Sequence, residues 1–190
     1  MHGVPSLHEL TVSSARSAAS ELLGGDVRRW AHVQAVARKA AEAARALGPA
    51  ESELLVLTAW LHDIGYAEPL MGTGFHSLDG AQWLRQQGHE RVACLVAHHS
   101  CASFEAALRG LSEVMATYPD EGTSVRDLLT YCDMTTGPAG QAMTMDERLA
   151  DVRKRYGSDG VVTHALQAAR EELLRQLTAA ERLLADAQPM

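Results

Sequence analysis

Six positions along this chain carry side chains able to hold a metal ion, in one order: His32, the doublet His62-Asp63, His76, one of the neighbours His98 and His99, and Asp133. Imidazole nitrogens and carboxylate oxygens are the ligands that catalytic transition metals use, and no single helix can present all six. The doublet alone carries little weight. With 9 His and 10 Asp among 190 residues, an adjacent His-Asp arises by chance about 0.5 times. The setting matters more, because each candidate falls at or near the end of a segment that reads as helix.

Neighbouring residues in a helix point about 100° apart, so His62 and Asp63 do not face each other. They converge only on a cation lying over the helix end, where Gly65 lets the chain turn away. That end also carries the negative pole of the helix dipole. Asp63 has two oxygens and can bridge a pair of metals, whereas a histidine gives one nitrogen to one metal. A metal held this way lowers the pKa of a bound water toward neutrality, so hydroxide is available as nucleophile without a dedicated side-chain base.

Three segments carry a family resemblance: Arg29-Trp30-Ala31-His32-Val33, Ala59-Trp60-Leu61-His62-Asp63-Ile64-Gly65 and Leu129-Thr130-Tyr131-Cys132-Asp133. Together they resemble the HD superfamily of metal-dependent phosphohydrolases. His76 in Gly74-Phe75-His76-Ser77-Leu78-Asp79-Gly80 and the stretch Leu95-Val96-Ala97-His98-His99-Ser100 are similar to the two extra histidines of the family's two-metal branch. The resemblance runs from about residue 26 to about residue 136. It departs at Tyr66, where many relatives carry a basic residue, and the Gly-Tyr-Pro signature of the cyclic-dinucleotide phosphodiesterases is absent. By resemblance, His32, His62, Asp63 and Asp133 hold a first metal. His76 and His98 hold a second, with Asp63 as the bridge and His99 competing with His98. One or two divalent ions are implied, with manganese, iron, cobalt, magnesium, nickel and zinc all open.

The phosphohydrolase reading also needs groups that neutralise phosphate charge the metals do not touch, a task suited to arginine's bidentate fork. Arg29, close to one turn before His32, is the first candidate, as a catalytic and substrate-binding residue beside Asp63; Arg28 is the second. Thr135 and Thr136, just past Asp133, offer hydroxyls to a substrate oxygen. The expected substrate is a small phosphate ester or anhydride, a nucleotide or a dinucleoside polyphosphate. The stretch Arg29-Trp30-Ala31-His32 is similar to that of bacterial HD enzymes that split diadenosine tetraphosphate. Two other readings stay open: a mixed-valence di-iron oxygenase on the same scaffold, and a non-catalytic nucleotide-binding regulator. Single residues read more plainly. His89 and His164 are assigned to surface or core, His2 and His8 get no role, and Arg148, Arg153 and Arg155 read as a solvated helix face.

Composition sets the frame. A chain of 190 residues reads as one domain over 1–190, with the motifs in 26–136 and C-terminal helices 144–187 packed on them. With 46% hydrophobic and only 5% aromatic residues, packed helices with small residues at their contacts are expected. A net charge of −7 argues against long nucleic acid as partner. It leaves room for a small phosphorylated substrate, since a metal and a few arginines reverse the field inside a pocket. No apolar run suits a membrane and no leader is evident. The cysteines Cys94, Cys101 and Cys132 show no paired spacing, so a reducing cytoplasm is expected. A homodimer is left open.

The elements that position these residues read as helices throughout, giving an all-α, HD-type bundle. Helices are expected at 6–23, 27–47, 50–64, 77–87, 89–100, 103–115, 125–135 and 160–187. Another runs from a Thr144/Glu147 capping box to about Arg155. Residues 66–75, with Pro69 and three glycines nearby, read as a loop that delivers His76.

Overall fold

The central element is α3 (Pro49–Leu61), and its sequence explains why. Leu54, Leu55, Leu57, Thr58, Ala59 and Leu61 are all buried, an all-round apolar helix of the kind found inside a protein rather than on it. α1 (Val12–Leu23), α2 (Val27–Ala43), α5 (Glu90–His98) and α8 (Ser124–Met134) pack around it. Alanine permits the close approach: Ala15, Ala18 and Ala19 of α1 and Ala37, Ala40 and Ala43 of α2 are buried. The computed structural model describes residues 4–187, so His2 and the outermost residues of the expected 1–190 domain lie outside the described residues. Among the described residues no strand forms, and the one β-type contact is an isolated bridge between Thr136 and Ala142. The fold is all-α.

Helix starts follow local chemistry. Thr11 and Ser14 form a capping box on α1, Asp26 accepts from the Arg29 amide at 2.9 Å to cap α2, and Pro49 occupies the first turn of α3. Thr144 and Glu147 form the expected capping box on α9 (Met145–Tyr156). Other expected boundaries shift. Residues 6–11 precede the first helix: Leu7 is buried from an irregular segment, its backbone held by Gln87 and His89. The expected 103–115 helix is two, α6 (Ala102–Leu108) and α7 (Ser112–Met115), because Gly110 takes a positive φ of 71° between them. The expected 160–187 helix bends at Ala169 into α10 (Val161–Ala168) and α11 (Arg170–Asp186). Its halves follow different partners, α10 lying on α6 and α9 while α11 lies on α8.

Two contacts set the site. α4 (His76–Gln86) packs directly on the 3-10 turn Ile64–Tyr66. A Cβ on Gly65 would stand 1.9 Å from the His76 carbonyl oxygen and 2.6 Å from the Gly80 amide. Only a residue without a side chain lets the end of α3 meet the start of α4. The second contact is a small apolar cluster of Cys101, Met134, Met145, Ala169, Leu173 and Leu177. It anchors α9, α10 and α11 beside the C-terminal end of α8, where Asp133 sits.

Candidate metal centre

The four candidate elements end at one place. His32 stands on the buried stripe of α2, the His62-Asp63 doublet just past α3, His76 at the first residue of α4, and Asp133 in the last turn of α8. His32, His62, Asp63 and Asp133 are each no more than 6% exposed, so their polar atoms must be satisfied by one another or by something they hold.

The histidine rings have fixed orientations. A backbone carbonyl can only accept, so the ring nitrogen beside it carries the proton. His62 Nδ1 donates to Ala59 O at 2.8 Å, His99 Nδ1 to Val96 O at 2.6 Å, and His32 Nδ1 to Gly137 O at 3.1 Å. With Nδ1 carrying the proton, Nε2 of a singly protonated ring presents its lone pair to the centre. These three lone pairs point at the two carboxylates. His32 Nε2 is 3.0 Å from Asp133 Oδ1, and two acceptors that close need a cation between them, a proton or a metal ion. His62 Nε2 is buried with no hydrogen-bond partner. A second ring nitrogen tied to a carbonyl is the arrangement that sets the tautomer of metal-ligating histidines.

Asp63 divides the site in two. Its Oδ2 lies 3.5 Å from His62 Nε2 and 3.8 Å from His32 Nε2, and its Oδ1 lies 3.6 Å from His76 Nε2 and 3.9 Å from His99 Nε2. Two atoms each about 2.1 Å from one ion can be no more than about 4.2 Å apart, so both sets are within reach of a shared ion. The groups His32–His62–Asp63 and Asp63–His76–His99 therefore share one carboxylate, Asp63. Asp133 Oδ1 adds to the first, 4.0 Å from His62 Nε2. The donor set fits divalent metal.

His98 is not in this set, and the preference for it is corrected. Its Nε2 donates to Tyr118 O at 2.7 Å. α5 stops at His98, and Ser100 and Cys101 both take left-handed backbone, with φ of 51° and 59°. That kink turns His99 inward and delivers the Ser100 hydroxyl to Asp133 Oδ2 at 2.5 Å. Consecutive non-glycine residues in this region are strained, a cost that tends to persist at working sites.

The phosphate candidates separate. Arg29 is brought in: its Nη1 donates to Asp63 Oδ2 at 2.5 Å, and its guanidinium lies 3.7 Å above the Tyr66 ring. That ring in turn stacks on His76, centroids 4.1 Å apart, which gives Tyr66 a packing role at the position where it departs from the family pattern. Arg28 is exposed at the rim of a side arm. Thr136 is corrected as a substrate group, since its hydroxyl donates to Cys132 O at 2.7 Å and is buried outside the cleft. Thr135 is likewise engaged, donating to Tyr131 O at 2.5 Å and accepting from Lys39. Arg148 and Arg155, read above as solvated, line the cleft instead. Their signal was available in α9, since they are seven residues apart and so share one helix face.

Charges in the site follow from burial and neighbours. Burial alone disfavours ionised Asp63, but Arg29, His62, His76 and His32 outweigh it and hold the carboxyl well below its usual range. Burial likewise opposes ionised Asp133, and His32, His62 and Arg148 reverse that too. Burial lowers His76 to about 3 and pushes His62 down as well. At pH 7 these two histidines are neutral and both aspartates ionised, the forms that bind metal.

The cleft over the site is bordered by Arg29, Tyr66, His76, Ser100, Arg148 and Tyr156 among others. Fold and site together define a class, the all-helical proteins whose histidine–aspartate centres suit divalent ions. A family model described as HD domain matches residues 29–151, and the chain belongs to that family, whose members are generally metal-dependent hydrolases. No curated protein and no solved structure matches the chain. No helix among the described residues is long and apolar enough to cross a membrane.

Proposed function

We propose that this protein hydrolyses a small phosphate ester or anhydride, with a nucleotide as the substrate class and two divalent ions at the histidine–aspartate centre. The observation that carries the reading is Asp63, whose two oxygens each face a separate pair of histidine Nε2 atoms. When bound, divalent ions supply an acidified water as nucleophile and neutralise non-bridging phosphate oxygens.

The chain's own residues account for the rest. His32, His62, Asp63 and Asp133 suit one ion and Asp63, His76 and His99 the other. Backbone carbonyls of Ala59, Val96 and Gly137 hold three of the rings with their lone pairs inward. Arg29, hydrogen-bonded to Asp63 and partly exposed to the cleft, suits a phosphoryl oxygen on the open side of the centre. Tyr66, Phe75, Tyr156 and Val162, among the residues lining the cleft, give it an aromatic and apolar component suited to a nucleoside.

The test is phosphate release from a panel of nucleotides by protein purified without oxygen, with metal analysis of the same sample. Asp63→Asn keeps side-chain size but loses the bridging charge, so turnover is expected to fall by about three decades or more, consistent with several kcal/mol supplied by metal catalysis. Full turnover by a folded Asn variant would remove the reading. Iron, oxygen consumption and no phosphate release would replace it with oxygenase chemistry.

A further inference from the structure

Arg148 is buried, 9% exposed, yet its side chain makes no short hydrogen bond. Its Nε is buried without a partner, Nη2 lies 3.6 Å from Asp133 Oδ1, and Nη1 lies 3.8 Å from Asp151 Oδ2. Arg126 shows how this protein buries a guanidinium when the purpose is structural. It donates to Asp120 Oδ2 at 2.6 Å and to Asp127 Oδ1 at 2.9 Å. A buried, under-bonded guanidinium is costly unless something else accepts its protons.

Arg148 lines a side arm that opens beside His32. Arg28, Arg29, Arg148 and Arg155 line this arm, with Asp26 the single carboxylate among its lining residues. Asp26 is already occupied in capping α2. Arg155 comes from the same face of α9, its Nε donating to Asp151 at 2.8 Å. Arg29, Arg148 and Arg155 border the main cleft as well, so arm and metal centre are continuous. Arg29 is paired with Asp63, Arg155 with Asp151, and Arg148 lies between Asp133 and Asp151. Yet four guanidiniums around one recess in a chain of net charge −7 are a local construction and not a general surface property.

One phosphoryl group at the centre would have two cations and Arg29 to meet its charge. Further guanidiniums set off along an arm, Arg148 among them with its Nε unpartnered, suit additional phosphates. We infer that the arm is a subsite for a condensed phosphate chain, so that the substrate carries two or more anhydride-linked phosphoryl groups in preference to a monoester. Arg148 and Arg155 are its specificity-determining residues. This rests on the phosphohydrolase reading for its meaning, but the anion subsite can be tested apart from turnover.

Calorimetric titration in excess magnesium, with inorganic tripolyphosphate and with orthophosphate, measures the preference directly. Tripolyphosphate is expected to bind at least about tenfold tighter, as each added charge-assisted pair contributes on the order of a decade. Arg155→Gln, at a partly exposed position, is expected to cut the preference about five- to tenfold. Arg148→Gln should cut it further if circular dichroism shows it folded. Arg153→Gln removes the same charge from an exposed position of α9 outside the arm, and is expected to keep the preference. Equal binding of the two anions overturns the inference. So does an undiminished preference in folded Arg155→Gln, or an equal loss in Arg153→Gln, which would signal bulk electrostatics. An arginine-dependent preference without phosphate release from any nucleotide upholds the subsite and removes the hydrolase reading instead.

Discussion

The guanidinium of Arg29 donates from Nη1 to Oδ2 of Asp63 at 2.5 Å, joining the start of α2 to the end of α3. Asp63 is thus the meeting point of three things: an arginine suited to substrate and two pairs of histidine Nε2 atoms. The pair keeps the carboxylate ionised and aims a cation at the open side of the centre. Its partial exposure, 20% for the arginine side chain against 5% for the aspartate, leaves the guanidinium reachable from the cleft.

Arg29→Ala is therefore expected to lower kcat/KM on a phosphorylated substrate by about one to two decades. That corresponds to a lost charge-assisted interaction of roughly 1.5–3 kcal/mol at 1.4 kcal/mol per decade. Metal affinity should not weaken, because the substitution removes a positive charge that competes for Asp63. Kinetics within twofold of wild type would return Arg29 to a purely structural pairing.

His99→Ala and His76→Ala are each expected to reduce bound metal by about one equivalent, since a site deprived of one of few ligands loses affinity steeply. His98→Ala should retain full metal and lose only its bond to Tyr118 O, about 1 kcal/mol of stability. Elemental analysis of the three purified variants decides between the neighbours. Metal loss in His98→Ala alone would contradict the geometry.

Protein stripped of metal should lose stability on acidification in two stages. His62 and His76 are lowered by burial, so the unfolded chain takes up protons first as pH falls below about 6.5, and stability drops from there toward about 3 for His76. Asp63 and Asp133 are held low, so their contribution is present above about 4 and is lost as pH falls through and below that value. Thermal melts from pH 7.5 to 4 should show Tm falling across this range, and His76→Gln should flatten the upper part. A Tm independent of pH between 6.5 and 4.5 would show that these rings are not buried neutral.

Gly65→Ala tests the contact between α3 and α4. Its added methyl meets the His76 carbonyl oxygen at 1.9 Å, a backbone atom that cannot swing aside. Overpacking of this kind costs about 1–3 kcal/mol, a fall in Tm of several degrees at roughly 2–4 °C per kcal/mol for a chain of this size. The displaced His76 should also weaken the second ion. Wild-type Tm and metal content in this variant would show that the approach is looser than the structure has it.

Much of this was legible in the chain order. The Asp26 cap, the Thr144/Glu147 box and the apolar run of α3 are local features, decided by residues within a turn or two of one another, and they appear in the fold as the sequence implies. The ligand types and their position at helix ends belong to the same class. What spacing could not supply was direction. His98 and His99 are adjacent and chemically identical, and the choice fell to a left-handed kink at Ser100 and Cys101 that no sequence period encodes. The hydroxyl of Thr136 was equally available on paper, but a helix carbonyl one turn back claimed it. Arg148 and Arg155 looked like a solvated face because α9 alone is polar, and only its anchoring through Met145 against Met134, Leu173 and Leu177 turned that face toward the cleft. Short-range propensity and hydrogen bonding set which elements form and where they start. The direction in which a ligand or an arginine points depends on contacts tens of residues away, and those exist only once the helices have packed.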